Sequence, residues 1–270
     1  MTEAPRFEDL QYRVEGAVAF ITLDRPDARN AYSEVMVESL LAALDAAALD
    51  EAVRAVVLTG AGDAFSAGGD LKRMRDRAGM FDGDAATLRD RYIALIQRIP
   101  RRMALFDKPI VAAVHGPAIG AGLDLACMCD VRVASPAARF GSTFVQVGLV
   151  PGDGGAYVLA RTVGFPRALE MVMSARLVDA EEAATMGLVH AVVPADQLAA
   201  EALRRATHFT RLPPVALRLA KRAAYRSYDV DLEVALELAA TYQGIAQRTD
   251  DHVEAVSALL ERRPGRFTGR

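Results

Sequence analysis

A glycine-rich turn at Gly116–Leu125 constrains this chain more than any other feature. It follows the apolar run Pro109–Val114, which has the composition of a buried strand. Three glycines in seven residues, Gly116, Gly120 and Gly122, then lead into an apolar segment of helical character. A strand that passes through glycines into a helix leaves the N–H groups of the first helical turn without intrahelical partners. Such groups favour an oxygen that carries or develops negative charge.

Asp124 lies in this turn among apolar side chains. A carboxylate there either caps the helix or is held partly desolvated for proton transfer. A second glycine turn, Gly60–Lys72, also follows an apolar run, Ala55–Thr59. One such turn is most often only a connection between a strand and a helix. Two in the same chain could each present a backbone N–H to a single carbonyl oxygen.

Composition and charge argue against several classes of protein. The chain has 270 residues, of which 52% are hydrophobic and 25% charged, as in a globular protein with a large core. A net charge of −3 gives no electrostatic reason to bind nucleic acid or an anionic membrane. Met1–Arg6 has no apolar signal core, so we expect a cytoplasmic protein. Two cysteines, Cys127 and Cys129, are too few for a zinc site, and no metal is expected.

Strand and helix patterns alternate up to about residue 195, which predicts an α/β fold. The predicted strands are Ala17–Leu23, Val53–Thr59, Pro109–Val114, Asp130–Ser135 and Leu188–Val193. One long helix is expected over Ala85–Phe106, and Ser33 and Asp179 are expected to cap helices. Asp130 and Arg132 are expected to form a structural pair.

Beyond Ala195 the sequence contains only helical patterns. Four amphipathic helices are predicted, at Leu198–Phe209, Val215–Tyr228, Leu232–Gln247 and His252–Leu260. Their alanine-rich faces suit close helix packing, either within the chain or between copies of it.

Several segments, in this order along the chain, resemble the enoyl-CoA hydratase/isomerase (crotonase) family. They are Phe65–Lys72, Gly116–Asp124, Cys129–Arg132 and Val147–Gly155, and the likeness runs from about Val14 to Arg270. The resemblance implies a crotonase-like spiral of ββα units over residues 1–195, which holds an acyl-CoA site. It also implies a C-terminal helical trimerisation region over residues 196–270, and hence a homotrimer or a dimer of trimers. No separate cofactor is implied, because CoA is part of the substrate.

The same resemblance implies an oxyanion hole formed by the backbone N–H groups of Gly69 and Ala121. The residues that it places in contact with CoA or substrate are Arg29, Ala67, Gly69, Asp70, Leu71, Lys72, Gly120 and Phe144. Tyr92 and Ile96 belong to an apolar stripe that borders the acyl pocket in the family.

The residues that would move protons depart from the family pattern. Asp124 stands where the family carries its first catalytic glutamate, and Phe144 stands where a hydratase carries its second. Adding water across a double bond is easiest with two carboxylates, whereas moving a double bond needs one base that takes a proton and returns it. We therefore expect an enzyme with Asp124 as the proton shuttle, and the pattern slightly favours isomerisation.

Asp153 follows the missing glutamate within the glycine turn Pro151–Gly155. It is expected either to cap a helix, where the helix dipole would lower its pKa, or to take part in catalysis. In the second case, hydration of a 2-enoyl-CoA by Asp124 and Asp153 is the alternative function. A non-catalytic acyl-CoA-binding protein, which would not depend on Asp124, is an alternative from another class.

Overall fold

A computed structural model describes residues 7–270; Met1–Arg6, in which no signal core was expected, lies outside the described residues. Two sheets organise the described part of the chain. Their strands are β1 (Leu10–Glu15), β2 (Val18–Leu23), β3 (Ala55–Gly60), β4 (Ile110–Val114), β5 (Pro117–Ile119), β6 (Val131–Ala134), β7 (Arg139–Gly141), β8 (Val178–Asp179) and β9 (Ala191–Val192). The larger sheet has the order β1-β2-β3-β4-β6-β9, and the smaller has the order β5-β7-β8.

Twelve α-helices surround the sheets within residues 7–270. They are α1 (Glu34–Leu49), α2 (Leu71–Arg75), α3 (Ala85–Ala94), α4 (Arg98–Leu105), α5 (Ala121–Met128), α6 (Gly155–Val163), α7 (Phe165–Ser174), α8 (Ala180–Thr185), α9 (Leu198–Thr210), α10 (Pro214–Ser227), α11 (Leu232–Gln247) and α12 (Asp250–Leu260). Two predicted caps are confirmed. The Ser33 hydroxyl accepts from the Met36 N–H at 3.0 Å, and the Asp179 carboxylate accepts from the Glu182 N–H at 2.9 Å.

The central strands of the larger sheet are parallel and covered on both faces. β2, β3, β4 and β6 run in parallel register, whereas β1 pairs with β2 in the antiparallel sense. Successive residues of a strand point to opposite faces. Leu58 and Ala112 accordingly join the main core, whereas Val57 and Val111 pack in a second cluster with residues of α9. Burial on both sides explains why these strands are almost continuously apolar.

The prediction of one long helix over Ala85–Phe106 is wrong. The segment forms two helices, α3 and α4, separated at Leu95–Gln97. Pro100 supplies the reason, because proline lacks the N–H that would bond to the carbonyl of Ile96 and is tolerated only in a first helical turn. The helix therefore stops and restarts. The break positions Gln97, whose side chain matters for the site described below.

Two further expectations are corrected. Asp130 and Arg132 do not pair: Asp130 accepts from the Lys221 ammonium at 2.7 Å, and Arg132 donates to the carbonyl of Leu188 at 2.7 Å. Arg132 is buried beside the carbonyl of Leu188 and the carbonyls at the C-terminal end of α5, which need a donor, and this decides its partners. The strand predicted at Leu188–Val193 is only the two-residue β9, because just two register pairs with β6 form.

The four predicted tail helices are present, but they differ in their packing. Leu198, Ala202 and Ala206 of α9 are buried against the larger sheet. By contrast, α10 and α11 bury no residue within the chain, and large apolar side chains such as Leu232 remain exposed. No helix among residues 7–270 combines the length and apolarity needed to span a bilayer.

Candidate active site

The two glycine turns meet at the C-terminal ends of two central strands of the larger sheet. The first follows β3 and the second follows β4, and these strands are parallel neighbours, so both turns leave the sheet at the same end. The Ser66 N–H donates to the carbonyl of Pro117 at 3.1 Å, and the Ile119 N–H donates to the carbonyl of Ser66 at 2.9 Å. A Cβ atom on Gly68 would lie 2.8 Å from the backbone nitrogen of Ala121. Only glycine permits this approach, and Gly68 also has a positive φ of 76°.

The direction of the Gly69 N–H is fixed by a hydrogen bond to the carbonyl of the same peptide unit. The carbonyl of Gly68 accepts from the Tyr32 N–H at 2.7 Å. In a trans peptide the C=O and N–H point in opposite directions, so the Gly69 N–H points away from Tyr32. Within residues 7–270 this N–H donates to no protein acceptor.

The direction of the Ala121 N–H is likewise fixed by a hydrogen bond to the carbonyl of its peptide unit, here from a residue of the same helix. The carbonyl of Gly120 accepts from the Asp124 N–H at 3.1 Å, which turns the Ala121 N–H outward from the start of α5. Ala121 is the first residue of α5 and therefore has no intrahelical acceptor for its N–H. In each turn, a hydrogen bond to the carbonyl of the peptide polarises the N–H that remains available.

A cavity of about 380 Å³ opens at this point, within the size range of ligand sites. The predicted residues that line it are Ala67, Gly69, Leu71, Tyr92, Ile96, Gly120, Ala121, Phe144 and Asp153. The predicted residues Arg29, Asp70, Lys72 and Asp124 do not line it. Its wall also includes residues that the sequence analysis missed, among them Tyr32, Met74, Met80 and Phe81. Tyr32 directly precedes the helix cap Ser33, and no local pattern distinguishes it from a core residue.

Asp124 and Asp153 lie side by side, although 29 residues separate them in the chain. Their carboxyl groups are close enough for each to shift the pKa of the other. Both oxygens of Asp124 and Oδ1 of Asp153 are buried, and within residues 7–270 no donor forms a hydrogen bond with them. The remaining carboxyl oxygen, Oδ2 of Asp153, is not among these buried atoms. Asp153 lines the cavity, whereas Asp124 does not.

Glycine makes room for this pair. A Cβ on Gly155, the first residue of α6, would lie 2.0 Å from Oδ2 of Asp124. The turn before α6 is also supported from the break between α3 and α4. The Gln97 side chain donates to the carbonyl of Gly152 at 2.9 Å, and the Tyr92 ring packs against Gly152. The corrected helix break thus helps to fix the position of Asp153.

The environment raises both carboxyl pKa values. Burial raises the pKa of Asp124 well above its usual value, and the neighbouring Asp153 charge adds to the rise. Burial also raises the pKa of Asp153, opposed by the neighbouring Asp124 carboxyl and by backbone N–H groups. Two neighbouring buried carboxylates repel each other when both are ionised, so this environment favours a state in which the pair holds one proton.

The expected lowering of the Asp153 pKa is therefore wrong, because desolvation outweighs the helix terminus. Asp153 does not occupy the cap position either. The N-cap of α6 is Gly154, and α6 has no side-chain cap.

Phe144 places an apolar ring opposite the start of α5. It begins the short 3₁₀ turn Phe144–Val147, and its ring atom Cζ would lie 3.6 Å from a Cβ on Gly120. Gly120 has a φ of 54°, a conformation that disfavours any side chain there. Phe144, which the resemblance aligns with the second glutamate of a hydratase, therefore presents an apolar face to the start of α5.

The predicted CoA contacts lie at the outer side of the first glycine turn. Arg29 and Lys72 are both exposed, and the carbonyl of Arg29 accepts from the Ala67 N–H at 2.9 Å. Asp70 caps α2 and forms an ion pair with Arg25 at 3.0 Å. Burial would raise the pKa of Asp70, but the backbone N–H donors of α2 and the ion pair hold it below its usual value. The role of Asp70 in this arrangement is to fix the turn rather than to face the cavity.

Comparison with known proteins identifies the family. Residues 13–270 match the family model described as enoyl-CoA hydratase/isomerase. The chain is 38% identical over 253 residues to 2,3-dehydroadipyl-CoA hydratase of Escherichia coli, covering 94% of this chain and 96% of that protein. It is 35% identical over 251 residues to short-chain-enoyl-CoA hydratase of Clostridium acetobutylicum, covering 92% and 93%.

The fold agrees with this match. The crystal structure of enoyl-CoA hydratase from Bacillus anthracis superposes with a TM-score of 0.90 at 30% identity, covering 97% of this chain and 100% of that one. The chain therefore belongs to the enoyl-CoA hydratase/isomerase family and has the crotonase fold. The α/β core and the C-terminal helical region expected from the sequence are confirmed.

Proposed function

We propose that this chain processes acyl-CoA thioesters by stabilising an enolate oxygen and moving a proton, and that its main reaction is migration of a carbon–carbon double bond. One observation carries the proposal. Two outward backbone N–H groups, at Gly69 and Ala121, share a mostly apolar cavity with a single accessible carboxyl, that of Asp153.

The proposed reaction begins with a 3-enoyl-CoA whose thioester oxygen lies between the two N–H groups. The Asp153 carboxylate removes a proton from C2, and the electron pair moves onto the thioester oxygen. The two donors stabilise that charge, and a single donor of this kind contributes about 3–4 kcal/mol. Return of the same proton from Asp153 to C4 yields the 2-enoyl product. One base that faces the substrate is sufficient for this sequence.

Asp124 has a supporting part in this proposal. We propose that the buried carboxyl of Asp124 holds the proton of the pair and donates it in a hydrogen bond to Asp153, which would orient that carboxylate and oppose a further rise of its pKa. The proton shuttle is thus the Asp124–Asp153 pair, in which Asp153 exchanges the proton with substrate.

Hydration of a 2-enoyl-CoA is the second candidate. It is supported by the closeness of two carboxyls and by the hydratase names of the relatives. Against it stands Phe144, whose ring provides no second anchor for water at the cavity wall. A non-catalytic acyl-CoA binder would use the same cavity but would not depend on the carboxyl pair.

The lining supports an uncharged acyl group. Among the described residues around the cavity none is lysine, arginine or histidine, and the Asp153 carboxylate is its only acidic group. A terminal carboxylate on the acyl chain would find no counter-ion there and would be repelled by Asp153. We propose that Arg29 and Lys72, outside the cavity, meet the CoA phosphates.

We also propose a homotrimer or a dimer of trimers, with residues 1–195 as the catalytic core. The observation that supports assembly is the exposure of apolar residues on α11 and α12, such as Leu232 at 70% and Leu260 at 80%. Because α9 is part of the sheet packing, the assembling surface would begin with α10. Light scattering on the full chain tests this, and a monomer would contradict it.

The deciding experiment is a panel of 3-enoyl-, 2-enoyl- and dienoyl-CoA thioesters assayed for both double-bond migration and water addition. Migration with little hydration is expected. Dominant hydration would favour the second candidate, and tight binding without turnover would favour a binder. Adding 2,3-dehydroadipyl-CoA, whose acyl group ends in a carboxylate, tests the lining argument: it should be processed more slowly than an uncharged acyl chain.

A further inference from the structure

Tyr32 connects the two N–H groups on which the proposed reaction depends. It lies outside both glycine turns, directly before α1, and is only 3% exposed. Its N–H donates to the carbonyl of Gly68, and its hydroxyl donates to the carbonyl of Ala121 at 3.2 Å. Tyr32 thus bonds to two peptide units: the one between Gly68 and Gly69, which carries the Gly69 N–H, and the one that follows Ala121.

These contacts fix the direction of the Ala121 N–H from both sides. On one side, the carbonyl of Gly120 is held by the Asp124 N–H. On the other, the carbonyl of Ala121 is held by the Tyr32 hydroxyl in addition to its helical bond. Rotation of the backbone at Ala121 would break one of these bonds. Donors fixed in advance stabilise a developing charge without the cost of reorganisation.

The hydroxyl stays protonated in this setting. Burial raises the pKa of Tyr32 well above its usual value, and the negative charge of the Asp153–Asp124 pair raises it further. A neutral hydroxyl can donate to a carbonyl throughout the neutral pH range. Tyr32 also lines the cavity, so its ring sets the spacing between the two turns and the substrate.

We infer that Tyr32 is a positioning residue, whose hydroxyl aims the Ala121 N–H at the thioester oxygen while its backbone aims the Gly69 N–H. The inference rests on the proposed function, because it requires a thioester carbonyl between those two groups. It adds a residue from the segment before α1 to a site otherwise built by the two glycine turns and the turn before α6.

The test is Tyr32→Phe, which keeps the ring and removes the hydroxyl. The expected loss in kcat is about fivefold to tenfold, as for one net hydrogen bond. The KM and the Kd of butanoyl-CoA should change less than about twofold, because ground-state contacts with the acyl chain are retained. Tyr225→Phe is the matched control, since it removes a tyrosine hydroxyl that bonds Asp130 at 3.0 Å, away from the cavity. Its kcat should equal that of the wild type.

Infrared spectroscopy of bound butanoyl-CoA carrying ¹³C at the thioester carbonyl gives the second readout. Binding to the wild type should lower the carbonyl stretching frequency, and Tyr32→Phe should reverse part of that shift, whereas Tyr225→Phe should not. The spectrum reports only on folded, loaded protein, so a loss of stability cannot produce this result.

An unchanged carbonyl frequency in Tyr32→Phe, with or without a lower melting temperature, would overturn the inference alone. Butanoyl-CoA bound with the shift but no turnover of any enoyl-CoA would overturn the proposed reaction and leave this inference supported. Failure of the wild type to bind butanoyl-CoA would overturn both.

Discussion

The turns that begin α5 and α6 are alike in sequence but contribute different chemistry. Each is rich in glycine, each opens a helix and each carries one aspartate, Asp124 or Asp153. In the α5 turn the aspartate is the fourth helical residue and is fully buried, and Ala121, whose N–H has no intrahelical acceptor, lines the cavity. In the α6 turn the aspartate precedes the cap, and its side chain faces the cavity instead.

This difference shows that position relative to the helix start decides which group a glycine turn offers. The α5 turn offers a hydrogen-bond donor, and the α6 turn offers a carboxylate. The two are joined by the contact between Asp124 and Asp153, so each turn also orients the other.

The largest expected effect is that of Asp153→Asn, which removes the carboxylate that faces the cavity. The loss in kcat should be about 10²–10⁴-fold, the range for general acid–base catalysis. Asp124→Asn should cost clearly less, about tenfold, because the asparagine amide can still donate to Asp153. Initial rates with a 3-enoyl-CoA measure both.

Equal and large losses in the two variants would contradict this division of roles. The pair would then act jointly on substrate, and hydration would become the better proposal. A larger loss in Asp124→Asn than in Asp153→Asn would return the proton shuttle to Asp124.

The next effect is that of Ala121→Pro, which deletes the donor of the α5 turn. Proline is well tolerated at the first position of a helix, so the fold should survive. The loss in kcat should be about 10²–10³-fold, as for one oxyanion donor. Ala85→Pro is the matched control, since Ala85 is the exposed first residue of α3. Both variants should melt near the wild-type temperature, and activity retained in Ala121→Pro would remove this N–H from the site.

A smaller effect is expected from Phe144→Glu, which places a carboxylate against the α5 turn. If the ring denies water a second anchor, the ratio of hydration to isomerisation should rise about tenfold, equivalent to about 1.4 kcal/mol in relative barrier height. Phe144→Leu, which is apolar, should leave the ratio unchanged. A ratio that does not move in Phe144→Glu would mean that the cavity shape, rather than this carboxylate, sets the reaction.

The smallest effect concerns stability. Burial raises the pKa of Asp124, so the folded chain keeps a proton at pH values where the unfolded chain has lost it. The free energy of unfolding should therefore fall as pH rises from about 4, the unfolded value, through the raised folded pKa. Urea titrations across that range should show a weaker decline for Asp124→Asn than for the wild type. The same decline in both would contradict burial of an ionisable Asp124, and exposed Asp27→Asn serves as control.

Much of the fold followed from local patterns. The predicted strands at β2, β3, β4 and β6, the caps Ser33 and Asp179 and the four tail helices are present because each depends on neighbours within one element. The short strands β5, β7 and β8 had no such signal, since two or three residues cannot show a periodicity. Pro100, which explains the break between α3 and α4, was present in the sequence. The prediction missed the break because the apolar residues recur at helical spacing across it.

The sequence alone determined the family pattern, the two glycine turns after buried strands and the departure at Phe144, because glycine, helix starts and buried runs act over a few residues. Only the tertiary structure decided that Asp124 and Asp153 are neighbours, that Asp153 rather than Asp124 lines the cavity, and that Tyr32 bonds to both glycine turns. The tertiary structure also decided the direction in which the pKa of Asp153 shifts. A helix terminus, which the sequence reveals, lowers a carboxyl pKa, but desolvation by distant segments raises it more, and those segments meet only when the chain is folded.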